Sequence, residues 1–556
     1  MTLSSLCVCV WCVPPRNTPW HTTRYPMPRS SRAVAAPDTA LKPPLRMSER
    51  VETVRTVYRE VAAELASLSV SARAGRANLG NTSLLRWNLA RCFHDATNSD
   101  HGDTSSESLP ELRVHVVGCS MTQGFMNCGS TNHGFQCMLP CDSLAWYRQL
   151  EVQLRRGLPG CQVKMSRVTS RGGRTVTTAQ RYETRVRRAN AHVIITDLTI
   201  CDLRGVTSSL DEVRVTAGWE SLLRRVLAER SAPALVHVES WAAFSPMGPC
   251  RTNATAHRLH LPLARRYGVP VTSFMLGVCA HHPDLAPRLH WRGGCAANAS
   301  TCGGASGARA LDTPGFECEP HPGPHTHRVF AMLLAELMLG AAKRAAHELS
   351  RATGSAGVRW PLPRPQPLDL DSTPTVMPES IMSQLSGCRA RHGVSNPLAT
   401  LDFAEGGCGK PLRHAGWRCY EDRPGKPGWI SEDGGRVEDG RGGGPGPATM
   451  LISAALPSPP LSFSVPLGSS KLTVAYLRSY DARMGVARVW LDDDDASGFL
   501  LNGSWASRTS QTEIRSEGVR GMCGSSCKAK RRGESHTVHV QRISGLKFKL
   551  LLLEVC

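Results

Sequence analysis

Residues 114–120 are Val-His-Val-Val-Gly-Cys-Ser, a short β-branched run that stops at a glycine, a cysteine and a serine. A run of this length, bounded by small residues, is typical of a buried β-strand. Four similar runs follow along the chain, at residues 162–165, 192–196, 235–238 and 270–274. Amphipathic helical patterns separate them, and strands that alternate with helices form βαβ units. The pattern therefore predicts a parallel five-stranded sheet covered on both faces by helices.

The helical patterns have apolar residues at spacings of three and four. They cover residues 142–156, 176–188, 208–229, 254–267 and 326–349. At the start of the first of these helices we expect Asp142 or Ser143 to be the N-cap, because a side-chain oxygen there accepts an otherwise unpaired backbone N–H. A further helical pattern, at residues 47–65, precedes the first strand.

The chain of 556 residues is longer than one typical domain, and its 50 glycines and 38 prolines indicate extended loops or linkers. We predict a leader or tail with one helical segment at residues 1–105, the α/β domain at 110–350 and a Pro-rich linker at 351–382. Residues 383–556 lack helical periodicity and are predicted to form an all-β sandwich domain. Its predicted strands are residues 461–465, 471–477, 486–491, 537–543 and 546–552.

Lys and Arg outnumber Asp and Glu by 66 to 46, which gives a formal net charge of +20. A charge of this size is compatible with a polyanionic partner. The densest basic stretch spans residues 148–188, but elsewhere the basic residues are scattered along the chain. We expect no nucleic-acid partner, and a site for an acidic polysaccharide at the basic stretch stays open. No run of 18 apolar residues occurs, so no transmembrane segment is expected.

The 21 cysteines are many for a cytosolic protein and favour an oxidising compartment. Closely spaced cysteines predict small disulfide-closed loops, which pair Cys137 with Cys141, Cys295 with Cys302, and Cys523 with Cys527. Zinc binding is the alternative, although zinc-finger spacing is absent. Glycosylation sequons also fit a secreted glycoprotein and lie at Asn81, Asn253, Asn298 and Asn502. The apolar start, residues 3–13, lacks the positive region of a clear signal peptide. We predict a protein of the secretory pathway or the extracellular space.

Polar residues follow the predicted strands at the points where the strands end. Ser120 follows the first strand, the segment 170–175 (Ser-Arg-Gly-Gly-Arg-Thr) follows the second, and Asp197 follows the third. His321 and Pro322 follow the fifth strand after a long loop and precede the last helix. Ligands of open α/β sheets bind at the carboxyl ends of the strands. Taken alone, Ser120 is better explained as a helix cap. Its place among the other motifs indicates a reactive site.

The order of these motifs resembles that of the SGNH/GDSL hydrolase superfamily over residues 112–349. The resemblance implies an esterase with a flavodoxin-like three-layer α/β/α fold. It also implies that Ser120 is the nucleophile, that His321 is the general base, and that Gly172 or Gly173 supplies a backbone oxyanion donor. Cys201 stands where the family has an asparagine whose side chain is a further oxyanion donor. In such a mechanism the serine attacks an ester carbonyl, and water then releases the acyl group.

Three cysteines depart from the family's motifs. Cys119 replaces the aspartate of the Gly-Asp-Ser motif, and Cys201 replaces the asparagine donor, although a thiol is a poor hydrogen-bond donor. Cys318 replaces the aspartate that lies three residues before the base. Glu317 and Glu319 are the adjacent carboxylates, and either is a candidate to orient the base. A serine–histidine dyad without an orienting carboxylate keeps part of its rate.

The histidines at the start of the last helix allow a second interpretation. His325 and His327 are close to His321 in the sequence, so a metal-binding group is the alternative to a single catalytic base. Spacing within a loop does not fix coordination geometry, and few acidic ligands are near. We therefore predict neither a metal nor an organic cofactor, and we interpret the last histidine as a packing or capping residue.

The C-terminal region resembles the galactose-binding type of jelly-roll sandwich that accompanies SGNH-like domains in some algal and other protist proteins. Trp417 and Trp429 could stack on sugar rings or lie in the sandwich core, and the core is the commoner place for tryptophan. Residues 492–495 are four consecutive aspartates. We interpret them as a solvated acidic turn and not as a calcium site, because no EF-hand spacing follows.

Together these features predict an ester hydrolase that acts on O-acyl groups, in particular acetyl groups, of carbohydrates or glycoconjugates. The expected partner is an acylated carbohydrate or a small ester, and the oligomeric state is left open. The first alternative is a catalytically degraded binding protein of the same fold, because the sequence departs from the family's motifs at Cys119, Thr199, Cys201 and Cys318. The second alternative is an O-acyltransferase.

Overall fold

The computed structural model describes residues 46–67, 78–93, 109–119, 122, 145–169, 173–203, 206, 208–240, 255–274, 276, 324–353, 365–369, 372–378, 381, 399–403, 408–421, 427–432, 456–466, 471–505, 510–522 and 535–555. None of the helices in these ranges is both long and apolar enough to cross a membrane.

The central sheet of the α/β domain consists of parallel strands with one short antiparallel strand at its edge. The strands are β1 (Asn78–Leu79), β2 (Glu111–Gly118), β3 (Gln162–Thr169), β4 (Val193–Asp197), β5 (Ala234–Glu239) and β6 (Val271–Ser273). Their order is β1-β6-β5-β4-β2-β3, in which β1 is antiparallel to β6 and the other pairs are parallel. From β3 to β6 the parallel strands have the 2-1-3-4-5 order of flavodoxin-like folds. The predicted fold class is confirmed.

Helices cover both faces of this sheet. They are α1 (Met47–Ser67), α2 (Ser83–Ala90), α3 (Trp146–Gly157), α4 (Thr175–Gln180), α5 (Tyr182–Arg185), α6 (Thr199–Leu203), α7 (Ser209–Leu227), α8 (Thr255–Arg266) and α9 (Pro324–Thr353). Helices α1, α2, α3 and α9 contribute to the core on one face, and α4, α7 and α8 to the core on the other. The helix predicted at residues 176–188 is broken into α4, α5 and a 3-10 turn, Arg187–Ala189.

Strand β4 shows how the sheet divides the two cores. Val193 and Ile195 are buried on the face of α1, α3 and α9, whereas Ile194 is buried on the opposite face with α7 and α8. Successive side chains of a strand point to opposite faces, so a strand buried on both sides is a continuous apolar run. This is the arrangement that the β-branched runs predicted.

Helix α1 belongs to the core of the α/β domain. Its side chains Val54 and Val61 are buried in the same cluster as those of α9. The strand β1 is also part of the sheet, and α2 packs in the same core. The prediction that residues 1–105 form a leader or tail with one helical segment therefore differs from the structure for residues 47–93. The apolar stripe of α1 was recognised, but the surface that buries it lies almost 300 residues later in the chain.

Part of the predicted Pro-rich linker lies against α7. The buried carboxylate of Glu220 accepts the backbone N–H of Val376 at 2.6 Å and that of Met377 at 2.8 Å. The backbone N–H of Leu368 donates to the carbonyl of Leu227 at 2.8 Å. These bonds fix the described part of the linker to the surface of the α/β domain.

The C-terminal domain is built from antiparallel strands, which confirms the predicted all-β class. They are β7 (Ala399–Asp402), β8 (Trp417–Glu421), β9 (Pro427–Glu432), β10 (Leu461–Pro466), β11 (Lys471–Arg478), β12 (Val486–Leu491), β13 (Asp494–Asn502), β14 (Gln511–Gly518), β15 (Ser535–Arg542) and β16 (Lys547–Val555), with a short helix α10 (Val519–Met522). One sheet has the order β10-β15-β12-β13 and the other β14-β11-β16-β9-β8, with β7 also paired to β16. Side chains from both sheets share one core.

The sequence predicted β10, β11, β12, β15 and β16 but not the other strands. Strands β8, β13 and β14 lie at the edges of their sheets. Edge strands are partly open to solvent and commonly carry charged residues, so they lack the apolar signal of central strands. Strand β13, for example, begins with Asp-Asp-Ala-Ser-Gly and only later becomes apolar.

Trp417 and Trp429 are core residues of the sandwich. They are 2% and 5% exposed. Their indole N–H groups donate to the carbonyl oxygens of Pro459 at 2.9 Å and Cys408 at 2.7 Å. Of the two fates that the sequence left open for these tryptophans, burial is the one that the structure shows.

Of the four consecutive aspartates, Asp492 and Asp493 form the turn between β12 and β13, and Asp494 and Asp495 begin β13. Asp492 has a left-handed backbone with a φ of 50°. Its carboxylate accepts the backbone N–H of Thr537 at 3.0 Å and pairs with His536 Nδ1 at 2.7 Å. The interpretation as a turn is confirmed for Asp492 and Asp493 and is wrong for Asp494 and Asp495, which lie in β13. The first aspartate binds β15 and does not point only into solvent.

The two domains touch through polar side chains. Arg174, at the start of α4, donates to the side-chain oxygen of Gln511 in β14. Arg214 of α7 lies 3.8 Å from the carboxylate of Glu513 in the same strand. The sandwich therefore packs beside the loop that follows β3, close to the carboxyl edge of the sheet.

Several arginines in the described part of the basic stretch form ion pairs with carboxylates. Arg148 and Arg155 both pair with Glu151, at 2.8 and 2.6 Å. Arg156 pairs with Glu60 at 2.5 Å. These carboxylates neutralise much of the local charge that made an acidic polysaccharide a candidate ligand.

Three disulfides join described cysteines: Cys92 with Cys161, Cys119 with Cys201, and Cys408 with Cys419. The first two connect residues 69 and 82 positions apart. Sequence spacing gives no signal for such long connections. The predicted short loops, which pair Cys137 with Cys141, Cys295 with Cys302 and Cys523 with Cys527, lie outside the described residues.

Candidate functional site at the carboxyl edge of the sheet

Thr122 lies against Gly118, the last residue of β2. A Cβ atom on Gly118 would lie 1.8 Å from Thr122 Oγ1, so only glycine fits beneath that side chain. In the sheet Gly118 is paired with Asp197, the last residue of β4. Thr122 is thereby close to the end of the neighbouring strand.

Asp197 is the centre of a buried hydrogen-bond network at this edge. Its Oδ2 accepts the hydroxyl of Thr122 at 2.7 Å and the indole N–H of Trp146 at 3.1 Å. The carboxyl group is completely removed from solvent, and this burial raises the pKa of Asp197 to about 6. The hydrogen bonds from Thr122, Ser240 and Trp146 oppose the rise.

The network continues to the last helix through Trp146. The backbone N–H of Trp146 donates to Nδ1 of the buried His327 at 3.1 Å. Trp146 is the first residue of α3, so the histidine satisfies one of the N–H groups that a helix start leaves unpaired. The expectation that Asp142 or Ser143 caps a helix beginning at 142 is wrong for the observed start: α3 follows Ala145, which provides no side-chain cap. The interpretation of the last histidine as a capping residue is confirmed.

A second cluster holds the short helix α6 beyond β4. Asp202 accepts the backbone N–H of Thr175 at 2.9 Å, and the hydroxyl of Thr175 donates to the same carboxylate. The hydroxyl of Thr199 donates to the carbonyl of Val238 in β5 at 3.2 Å. Helix α6 is thus tied to α4 on one side and to β5 on the other.

Two buried histidines, His260 and His237, contact α6 and strand β4. His260 Nε2 is 3.1 Å from Asp202 Oδ2, and both side chains are almost fully buried. His237 bonds to the hydroxyl of Thr196 at 3.0 Å and packs against Trp219 with ring centroids 4.5 Å apart. Burial, followed by the proximity of His260, lowers the pKa of His237 well below its usual value. His237 is therefore neutral near pH 7.

A disulfide joins the two motif cysteines of the site. Cys119, the residue before the predicted nucleophile, is bonded to Cys201, with Cα atoms 6.5 Å apart. The prediction that the Cys201 side chain takes the place of the family's amide donor is corrected by this bond, because a disulfide sulfur carries no hydrogen to donate. The substitutions at the two motif positions, which looked like independent departures, form one crosslink.

The remaining predicted site residues are only partly covered by the structure. Ser120, Gly172, Glu317, Glu319 and His321 lie outside the described residues. Their described neighbours in sequence are nevertheless close to the two polar clusters.

Those neighbours connect the motifs to the network. Thr122 lies two residues after the predicted nucleophile, and His327 lies six residues after the predicted base. Both belong to the chain of hydrogen bonds through Asp197 and Trp146. Gly173, the other oxyanion candidate, is buried and lies two residues before Thr175.

Sequence reasoning missed Thr122 and Trp146 as members of the site, and it named Asp197 at the end of the third strand without giving it a role. A signal existed for Asp197, since a carboxylate that ends an otherwise apolar parallel strand must be satisfied by other polar groups. The hydroxyl and indole donors gave no signal, because threonine and tryptophan are common in loops and helices without a polar role.

The described residues contain no group of three His, Cys, Asp or Glu side chains arranged to hold a metal ion. His321 and the side chain of His325, two members of the alternative metal group, lie outside what the structure describes. What the described groups do is hold loops in place through buried hydrogen bonds.

No protein-family model matches the chain, and no curated protein sequence matches it. Among solved structures, a two-domain esterase (CEX) active on acetylated mannans is 13% identical, with 86% of this chain and 96% of that chain covered and a TM-score of 0.49. A putative GDSL-like lipase from Parabacteroides merdae is 14% identical and covers 42% of this chain and 98% of its own, with a TM-score of 0.29. The acetyl xylan esterase AlAXEase is 11% identical, with 40% and 98% covered and a TM-score of 0.29.

Proposed function

We propose that the protein is an ester hydrolase that removes O-acyl groups, in particular acetyl groups, from carbohydrates or glycoconjugates. The observation that carries the proposal is the buried network Thr122–Asp197–Trp146–His327 at the carboxyl edge of the sheet. It links the turn that contains the motif serine to the helix that follows the motif histidine. Buried polar bonds of this kind fix loop positions, and an acyl-transfer site needs its loops fixed.

In the proposed reaction Ser120 is the nucleophile and His321 is the base. The histidine takes the proton of the serine hydroxyl while the oxygen attacks the ester carbonyl, and it returns the proton to the departing sugar oxygen. A water molecule, deprotonated by the same histidine, then attacks the acyl-enzyme. The carboxylic acid leaves and the serine hydroxyl is restored.

The oxyanion of each tetrahedral intermediate is assigned to backbone donors. The N–H groups of Ser120 and of Gly172 or Gly173 are the candidates, since the Cys201 side chain is committed to a disulfide. The loss of one oxyanion donor typically costs about 2.7–4 kcal/mol, or roughly 100-fold to 1000-fold in rate. We therefore expect a slow esterase. Glu317 or Glu319 is proposed to orient the base.

The proposed location is the secretory pathway or the extracellular space. Three disulfides between described cysteines fit an oxidising compartment. The described sequon residues Asn81 and Asn502 are both exposed, as glycosylation requires. The buried Trp417 and Trp429 do not serve as a sugar platform, so the sandwich is proposed to support the α/β domain.

The test is hydrolysis of p-nitrophenyl acetate, acetylated mannan and acetylated xylan by the purified protein, together with labelling by a fluorophosphonate. We expect Ser120→Ala to abolish both turnover and labelling, and His321→Ala to abolish turnover. Ser464→Ala is the matched control, because Ser464 is an exposed serine of β10 in the other domain and its loss should change neither readout. Unchanged hydrolysis after Ser120→Ala would overturn the assignment.

The same experiment separates the second candidate, a catalytically degraded binding protein. The disulfide at two motif positions is the observation that favours this candidate. Folded wild-type protein that neither hydrolyses these esters nor reacts with the fluorophosphonate would establish it in place of the hydrolase. Acyl transfer to an added sugar, detected in place of free acetate, would establish an acyltransferase.

A further inference from the structure

Helix α6 is joined to two described residues that flank the predicted site in sequence, Cys119 after β2 and Thr175 at the start of α4. We propose that α6 sets the position of the nucleophile relative to the oxyanion donors, through the Cys119–Cys201 disulfide on one side and the Asp202 carboxylate on the other. The inference rests on the proposed function, and it gives the paired cysteines a positioning role in catalysis. In this proposal the Cys119–Cys201 disulfide takes over the role of positioning the site, and the two cysteines are not a sign of lost function.

The first connection restrains the nucleophile turn. Cys119 is directly bonded to Ser120 in the chain and is 0% exposed. On its other side the turn closes at Thr122, which packs onto Gly118 and donates to Asp197. The serine is therefore flanked by a covalent crosslink one residue before it and a buried hydrogen bond two residues after it.

The second connection restrains the oxyanion loop. Asp202 binds both the backbone N–H and the hydroxyl of Thr175, the first residue of α4. Thr175 lies two residues after Gly173 and three after Gly172, the candidate oxyanion donors. A carboxylate at the start of a helix also interacts favourably with the helix dipole. Cys201 and Asp202 are adjacent, so one turn of helix carries both connections.

Helix α6 is itself held firmly enough to act as a reference point. A helix of five residues has no stability of its own, so its position depends on tertiary contacts. Those contacts are the bond from Thr199 to Val238 in β5 and the approach of His260 to Asp202. All of these side chains are buried. The reference point is thus fixed to the sheet and to α8.

Positioning matters more here than in a site with a side-chain oxyanion donor. A side-chain amide can adjust its rotamer, whereas backbone N–H groups move only with their loops. A displacement of about 1 Å at a reacting group can cost on the order of 100-fold in rate. Removal of the crosslink should therefore lower kcat and leave ground-state binding, and hence KM, nearly unchanged.

The test compares two double variants in the same domain. Cys119→Ser/Cys201→Ser removes the proposed positioning crosslink, and Cys92→Ser/Cys161→Ser removes a disulfide away from the edge. The two disulfides span 82 and 69 residues, so the chain-entropy model predicts nearly equal losses of stability. Urea unfolding checks that equality, and p-nitrophenyl acetate hydrolysis gives kcat and KM, with Ser120→Ala measured alongside.

We expect kcat to fall by about 10-fold to 100-fold in the first double variant, with KM within about twofold, and to be unchanged in the second. If wild-type activity depends on Ser120 but both double variants keep the wild-type kcat, or both lose it equally, the positioning role is overturned and the proposed function stands. If wild-type activity is absent or independent of Ser120, the proposed function fails and the inference fails with it.

A second measurement covers the case in which the first double variant does not fold. Folded wild-type protein is treated with dithiothreitol, which gives two electrons and two protons to each disulfide that it opens and itself closes to a cyclic disulfide. Alkylation and mass spectrometry report which disulfides are open at each time. We expect kcat to fall in step with the opening of Cys119–Cys201. A kcat that stays at the starting value after this disulfide is open overturns the inference.

Discussion

The two ends of the parallel strands carry polar side chains in opposite environments. At the carboxyl end, Asp197, Thr122 and Trp146 form a network whose members are 0–1% exposed. At the amino end, Glu111 pairs with Lys164 and lies 3.3 Å from Arg113, and these side chains are 26%, 55% and 34% exposed. The same strands therefore end in a dry network on one side and in hydrated ion pairs on the other.

This difference in solvent exposure indicates different roles for the polar groups at the two ends. Polar groups at the amino end satisfy their hydrogen bonds with water as well as with each other, so they cost little and contribute little. Polar groups at the carboxyl end are buried and cannot form hydrogen bonds with water, so each one is satisfied only by its protein partners. Such a buried network holds the attached loops in one arrangement, and the proposed site requires this.

The largest expected effect comes from removing the acceptor of the dry network. Asp197→Ala leaves the buried hydroxyl of Thr122 and the buried indole N–H of Trp146 without their acceptor, at a cost of about 3–4 kcal/mol in the free energy of unfolding at pH 7. Urea denaturation measures it, and Asp197→Asn, which retains an acceptor oxygen, should be milder. If Asp197→Ala were as stable as wild type, the buried network at the carboxyl end would stabilise the fold no more than the exposed ion pairs at the amino end.

The pH dependence of stability sharpens the comparison. Burial raises the pKa of Asp197 to about 6, above its value in the unfolded chain, so the folded state binds the proton more tightly. The stability from this group is complete below pH 3.8 and is lost as the pH rises through 6. Relative to Asp197→Asn, the wild type should therefore lose about 2–3 kcal/mol between pH 4 and pH 7. Urea titrations of both proteins at several pH values measure this, and parallel curves would contradict the assignment.

The amino end should titrate in the opposite direction. Burial, followed by the charges of Arg91 and Arg113, lowers the pKa of His192 to about 3. The unfolded chain binds the proton more tightly, so stability is present above pH 6.5 and is lost as the pH falls towards 3. Because His192 is only half buried, the difference between wild type and His192→Gln should be about 1–2 kcal/mol after allowance for solvent screening. Urea unfolding at pH 7 and pH 4.5 tests it, and a wild type that gains stability relative to the variant at pH 4.5 would refute it.

The sequence predicts the elements that depend on local information, and it fails for features that depend on long-range contacts. The five parallel strands were predictable, because burial on both faces leaves a continuous apolar run in the sequence. The sandwich strands β10, β11, β12, β15 and β16 were predictable from short runs rich in apolar and β-branched residues. The edge strands β8, β13 and β14 were not, because solvent on one side removes that run. Helix α1 was found as a helix but was assigned to a leader, since the pattern of a helix does not reveal its packing partner.

The candidate site shows the limit more clearly. Motif order predicted that Ser120, Gly173 and Cys201 follow successive strands, because each motif is local. The Cys119–Cys201 crosslink and the cap that His327 provides to Trp146 join residues 82 and 181 positions apart. Such contacts are set by the packing of the whole domain, and neither spacing nor residue type indicated them.

The smallest expected effect is at the hydrated ion pairs. Lys164→Ala removes the partner of Glu111, but the lysine side chain is 55% exposed and water replaces it. We expect no measurable shift in the urea midpoint, and equally none in wild type when 0.5 M sodium chloride screens the pair. Lys164→Met is the matched variant, because it keeps an unbranched side chain of similar length and removes the charge. If Lys164→Ala lowered the urea midpoint and Lys164→Met did not, the aliphatic stem and not the ion pair would stabilise this end. If both variants lowered the midpoint, the charges at the amino end would matter as much as the buried network. The distinction between the two ends would then not hold.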